Sequence, residues 1–187
     1  VADHVPQRRY TGVARLFHWS IAGLILFQVP LAYYMIDLPL SPAKLENYAL
    51  HKSIGLTILA LTAARLGWRW LKPPPPLPAS LSVTQRRLAK LTHAVLYVIT
   101  FAMPLTGWLG SSAANFPVSV FGWFTMPDLV APNAELHERL ELAHRLLAYT
   151  LFTTFTLHAG AALYHQFVLR DGVLAAMLPG SGHRKPT

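Results

Sequence analysis

Apolar residues in this chain come in four unbroken blocks, separated by shorter polar and proline-rich stretches, with no alternation inside the blocks. They cover residues 16–36, 51–71, 91–112 and 142–169. Each block reaches the roughly 20 residues that a helix needs to cross about 30 Å of hydrocarbon. Backbone polar groups in lipid must be satisfied within their own segment, so the blocks predict four transmembrane helices in one all-α bundle. A β-barrel would instead show alternating segments of about ten residues. The first block is too long for the apolar region of a cleaved signal peptide and has no small-residue cleavage site, so it is expected to remain as a span.

The stretches between the blocks divide the chain into a polar arm (1–15), a four-span domain (16–169) and a polar tail (170–187). "DLPLSPAKLENYAL" reads as a short outer loop. "KPPPPLPASLSVTQRR" reads as a stiff, polyproline-like inner connection. The long outer segment before the fourth span holds Phe121, Trp123 and Phe124, rings that suit the membrane–water interface. Trp19, Trp68, Trp70 and Trp108 lie toward span ends and suit the same belts. "AELHERLELAH" is expected to begin the fourth helix above the bilayer, and "GSGHRKPT" to be disordered.

Composition agrees with lipid as the solvent. Only 13% of residues are charged, where a soluble domain carries about 25%. The net charge of +8 raises the question of nucleic acid, and its distribution answers it. Four crossings put both termini and the proline-rich connection on one side, where twelve of the 16 Lys and Arg residues fall. Lys44, Lys52, Arg139 and Arg145 fall on the other side, with six of the eight acidic residues. This positive-inside pattern predicts cytoplasmic termini rather than a nucleic-acid surface. The absence of cysteine excludes disulfides, iron–sulfur and zinc–thiolate sites, and haem attached through Cys-x-x-Cys-His.

Six of the nine histidines, His18, His51, His93, His144, His158 and His165, lie in or at the edges of the blocks. Ionisable groups at membrane depth are costly, and several that converge mark a site. His144 and His158 are 14 residues apart, about 21 Å along a helix and within about 40° of one face. The fourth span runs inward, so His144 lies at outer depth and His158 at inner depth. The first span runs outward and opens on His18, at inner depth; the second runs inward and opens on His51, at outer depth. Depth alone therefore pairs His18 with His158 and His51 with His144. Two imidazole pairs stacked through an apolar bundle suit two non-covalent, bis-histidine b haems, each iron taking one imidazole from either side. Zinc and copper fit less well, because no thiolate or carboxylate completes their coordination. A proton relay would favour Asp or Glu within the spans, and the blocks contain neither.

The chain resembles the bacterial cytochrome b561 family of four-span dihaem membrane proteins along nearly its whole length. "RYTGVARLFHW", "LHKSIGLTILALTAARLGWR", "LTHAVLYVITFAMPLTGWLGSS", "FGWFTMP" and "HERLELAHRLLAYTLFTTFTLHAGAALYHQFVLRDGVLAAMLP" carry the likeness. The His-x13-His spacing of the last stretch is its most specific part. The resemblance implies axial ligands at His18, His51, His144 and His158, the four that depth selects. It further implies a protein of the bacterial inner membrane that exchanges electrons between the periplasmic side and the quinone pool. Superoxide would be oxidised at the outer haem and ubiquinone reduced near the inner one.

Other residues carry two readings each. His93, at inner depth, is a hydrogen-bond partner for an inner haem propionate or a quinone, or a packing residue. His165, seven residues beyond His158, is a quinone contact that relays a proton, or an ordinary interfacial histidine. Arg15 neutralises an inner propionate or meets lipid headgroups. Lys52 and Arg145 adjoin the outer ligands and contact propionates or attract superoxide, or are simple interfacial cations. Arg65 and Arg69 are expected to reach along the bilayer to the inner surface. Two rival functions remain at this level: a haem-bearing anchor for a periplasmic dehydrogenase, and a haem-free metal or proton transporter.

Overall fold

The computed structural model describes residues 9–78 and 81–178; His4, His183 and "GSGHRKPT" lie outside the described residues. Four long helices carry the chain: α1 (Gly12–Asp37), α2 (Pro42–Leu71), α3 (Val83–Ala113) and α4 (Ala134–Tyr164). The last runs on into a π-helical turn, His165–Leu169.

The helices begin earlier than the apolar blocks because polar caps set their starts. Thr11 accepts from the Ala14 amide and Asn133 from the Leu136 amide. Ser41 caps α2 with Pro42 at its first position. Ser82 and Gln85 close a reciprocal capping box on α3. The outer loop expected over "DLPLSPAKLENYAL" therefore shrinks to residues 38–41, and α1 takes in the end of the expected N-terminal arm.

By length and composition, Gly12–Asp37, Val83–Ala113 and Ala134–Leu169 are each long and apolar enough to cross a membrane. The 30-residue α2 is long enough but less apolar, its hydropathy diluted by Lys44, Glu46, Lys52, Arg65 and Arg69. It holds the middle of the bundle, packed against α1, α3 and the outer connection. That connection carries the one hairpin among the described residues. It joins β1 (Val118–Val120) to β2 (Phe124–Met126), with Val120 paired to Phe124. Phe121 and Gly122 turn it with φ of 50° and 75°, and the Trp123 amide donates to the Val120 carbonyl. The buried Ser53 hydroxyl accepts from the Phe121 amide at 2.9 Å and lies 3.0 Å from the Ser119 carbonyl, which fixes the hairpin on α2.

Helices pack in sequence order, α1 on α2, α2 on α3 and α3 on α4. Among the described residues, no Cα of α4 comes within 8 Å of one in α1 or α2. The bundle is thus open between α4 and the α1–α2 pair. Its core joins Ile21 and Ile25 of α1, Ile54 and Ile58 of α2, Ile99 of α3 and Leu151 of α4. Leu16, Phe27, Leu146, Phe152 and Leu157 point outward and are exposed, as lipid-facing side chains are.

The first part of the expected C-terminal tail is not free. Arg170 and Gly172 adopt left-handed φ values of 52° and 77°, and the chain turns back beneath α1. The Tyr10 amide donates to the Ala176 carbonyl, the Arg9 guanidinium to Ala175, and the Trp19 indole to Met177. Carbonyls in this irregular segment lack a helix to satisfy them, and donors at the start of α1 do so instead.

Candidate functional site

The gap beside α4 is where the histidines meet. Across it the His18 and His158 rings lie 6.2 Å apart, centre to centre, and the His51 and His144 rings 6.3 Å apart. The structure thus brings together the two pairs that depth selects. Two imidazoles on opposite sides of one metal atom, each nitrogen about 2 Å from it, have ring centres about 6 Å apart. No group of three or more His, Cys, Asp or Glu among the described residues is disposed to hold a metal ion. A metal here would therefore bring its remaining donors with it, as a porphyrin does. Leu147, Leu151 and Phe155 lie on α4 between the two levels and keep the space between them apolar.

At the outer level, His144 Nδ1 lies 3.0 Å from the Met103 carbonyl and 3.1 Å from Thr106 Oγ1. A proton on Nδ1 donated to that carbonyl leaves Nε2 free as a ligand, the usual way in which a ligating histidine is oriented. Gly107 makes the space for this ring: a Cβ there would stand 3.3 Å from His144 Cε1. His51 Nδ1 is buried without a partner among the described residues. Its backbone carbonyl accepts from Gln28 at 2.7 Å, which ties α1 to α2 at this level.

The inner level opens into a cleft lined by His18, His93, His158, Thr62, Arg65 and Arg69, together with Tyr10, the proline run and residues of the returning C-terminal segment. His93 is brought within 5.4 Å of His158, ring to ring, so the inner level has three imidazoles rather than two. Arg65, partly buried, and Arg69, exposed, are the two cations expected to reach the inner surface; both also border this cleft. Their guanidinium carbons lie 5.4 and 6.0 Å from the centre of the Tyr97 ring. That aromatic face is offered by α3, which the sequence of α2 does not reveal. Burial holds the Tyr10 phenol above its ordinary value of 10.0, against the opposing pull of Arg69 and Arg65.

Other predicted residues fall elsewhere. Arg15 is not on the cleft; its guanidinium donates to the Leu178 carbonyl at 2.9 Å. His165 also lies off the cleft lining, with Nδ1 at 2.5 Å from Asp171 Oδ2. Lys52 turns to the outer connection, 3.4 Å from the Pro117 carbonyl and over the Phe116 ring. Arg145 is exposed. His137, given no role from the sequence, contacts the Gly110 carbonyl and joins the start of α4 to the end of α3.

A family model described as prokaryotic cytochrome b561 matches residues 9–180. The chain belongs to that family. It is 34% identical over 177 residues to cytochrome b561 homolog 2 of Escherichia coli (strain K12), covering 94% of this chain and 93% of that protein. Over 178 residues it is 30% identical to cytochrome b562 of Cereibacter sphaeroides, covering 90% and 94%. Over 176 residues it is 30% identical to a probable superoxide oxidase, CybB, of Yersinia pestis, covering 92% and 97%. Cytochrome b561 proteins are membrane haem proteins of electron transfer, and this chain is a bacterial one. The facing imidazoles, the oriented His144 and the space that Gly107 leaves all fit that cofactor.

Proposed function

We propose that this cytochrome b561 holds two b haems and passes electrons from superoxide, on the periplasmic side, to ubiquinone near the cytoplasmic side of the bacterial inner membrane. The observation that carries the reading is the repetition of one imidazole spacing, 6.2 and 6.3 Å, at two levels of the open side of the bundle. His51 and His144 hold the outer haem; His18 and His158 hold the inner one. A bis-histidine haem supplies one-electron ferric–ferrous chemistry. Two superoxide anions each lose one electron and become dioxygen, while one quinone gains those two electrons and two protons.

The chain's own residues supply the rest. Leu147, Leu151 and Phe155 exclude water between the levels, and Met103 fixes the His144 ring. His93 faces the inner cleft, where a quinone carbonyl would accept its hydrogen bond. His165, with Asp171 behind it, carries a proton at the cytoplasmic edge. Lys52 and Arg145 are the outer cations available to superoxide. Cytoplasmic termini follow from the basic residues gathered at the end where the two termini of the described chain meet. The name of the Yersinia relative supports superoxide as the donor.

A dithionite-reduced minus oxidised spectrum, with haem counted against protein, should give two b haems per chain. Purified protein alone should then reduce ubiquinone with superoxide as the only donor. Two haems without that activity would point to an anchor for a periplasmic dehydrogenase. No haem in a folded preparation would overturn the reading.

A further inference from the structure

The inner cleft contains two guanidinium groups that the histidine pairs do not use. Arg65 stands 14 residues after His51 on α2, which places it about 21 Å along the helix and within about 40° of the same face. That is the spacing of His144 and His158 on α4. Helix α4 therefore offers a histidine at each level, whereas α2 offers His51 at the outer level and a cation at the inner one. Thr62, Arg65 and Arg69 follow at intervals of three and four and all line the cleft beside His18 and His158. Tyr97 lies against both guanidinium groups and restricts their orientation.

These cations have no carboxylate counter-charge among the described residues. The ion pairs there join His137 to Glu141, Arg139 to Glu135 and His165 to Asp171. Asp171, the acid nearest this end, is thus committed to His165. Arg65 is partly buried and needs an anion to offset its lost hydration, Arg69 is exposed at the mouth of the same cleft, and the planar fork of each matches a carboxylate or phosphate in two-point contact. The matching chemistry is a pair of oxyanions at the level of His158.

We propose that Arg65 and Arg69, held by Tyr97, bind the propionates of the inner haem; the assignment rests on the dihaem reading above. Haem propionates carry two carboxylates, one for each guanidinium, and they are fixed at one edge of the macrocycle that the His18–His158 spacing would accept. A lipid headgroup phosphate is the other source of the same chemistry.

The test compares the full-length purified protein with Arg65→Gln/Arg69→Gln and Arg65→Lys/Arg69→Lys, by potentiometric titration and resonance Raman spectroscopy of the propionate bending mode. The inner haem is assigned with His144→Ala, which should retain it alone. Cations beside a haem favour the ferrous form, so the Gln variant should lower the ferrous-to-ferric ratio of the inner haem at least tenfold at a fixed ambient potential, about 59 mV for one electron. Its propionate band should shift. The outer haem should not respond, and it reports that the bundle is folded. The Lys variant should recover most of the potential but not the two-point propionate signature.

Two wild-type haems, with both potentials and the propionate band unchanged in the Gln variant, would overturn the proposal and leave the dihaem reading intact. Loss of bound phospholipid phosphate from the Gln variant, with unchanged haems, would overturn it in favour of a headgroup. A folded wild type with fewer than two haems would overturn both readings together.

Discussion

Gly107→Ala places one methyl group against the outer site and lets two opposing effects be separated. In the helix itself the change is favourable, since Ala is preferred to Gly by about 1 kcal/mol. In the site it is unfavourable. The new Cβ would stand 3.3 Å from His144 Cε1 and 3.6 Å from Nδ1, so the ring must retreat by a few tenths of an ångström. It is held in place by the 3.0 Å contact of Nδ1 with the Met103 carbonyl. Loss of that hydrogen bond costs about 1 kcal/mol, and overpacking adds about 1 kcal/mol or more. A combined cost of about 2 kcal/mol is about a 30-fold weaker hold on the outer haem. This lies within the roughly 10- to 100-fold range typical of losing a group that orients a metal ligand.

The assay counts haem per chain and follows haem transfer to an apoprotein scavenger. Gly160→Ala is the control, because a Cβ there meets nothing within 4 Å. The expected result is one labile and one stable haem in Gly107→Ala, with melting no lower than in Gly160→Ala once haem loss is matched. If Gly107→Ala retains its outer haem as tightly as the control, then the His144–Met103 geometry does not orient a ligand, and the reasoning fails.

Four other outcomes are expected. His158→Ala should lose only the inner haem and His144→Ala only the outer one, as read from reduced-minus-oxidised spectra; two haems in both variants would show that the pairing is wrong. His165→Ala should keep both haems yet slow quinone reduction about tenfold or more, in the range of a lost general acid, and unchanged turnover would remove that role. Ser53→Ala removes from the Phe121 amide the acceptor that the buried Ser53 hydroxyl supplies and should destabilise the hairpin by about 1 kcal/mol, seen as faster amide exchange over residues 118–126. The raised folded-state value of Tyr10 means that its stabilising contribution is complete below about pH 10 and lost as pH rises through the folded value. Tyr10→Phe should abolish that alkaline step in the exchange of residues 173–178.

Much of the architecture is legible in the linear pattern. An apolar block of about 20 residues has one stable form in lipid, and a 14-residue separation on a helix fixes both depth and face. These regularities pair His18 with His158 and His51 with His144 before any coordinates are considered. They depend on distances along single helices, which backbone geometry sets and which neighbours cannot alter.

Side-chain destinations are less legible, because they depend on what another helix presents. Arg65 and Arg69 belong to a span that reads as ending at the inner surface, and the sequence of α2 does not reveal that both lie near Tyr97 of α3 and border the inner cleft. Arg15 lies three residues from a haem-ligand candidate, yet it serves a carbonyl more than 160 residues away. The hairpin also escapes the pattern, for strands of three residues are too short to show alternation, and Ser53 of α2 secures their turn.

The sequence by itself determined the helices, the membrane as their solvent and the levels of the four histidines, because each is a property of one segment and its hydration. Tertiary structure alone decided that α4 stands apart from α1 and α2, that Arg65 and Arg69 border the inner cleft, and that the C-terminal segment returns to line it. Those features arise from contacts between segments far apart in the chain, where the geometry of packing and the partners left free by each helix make the choice.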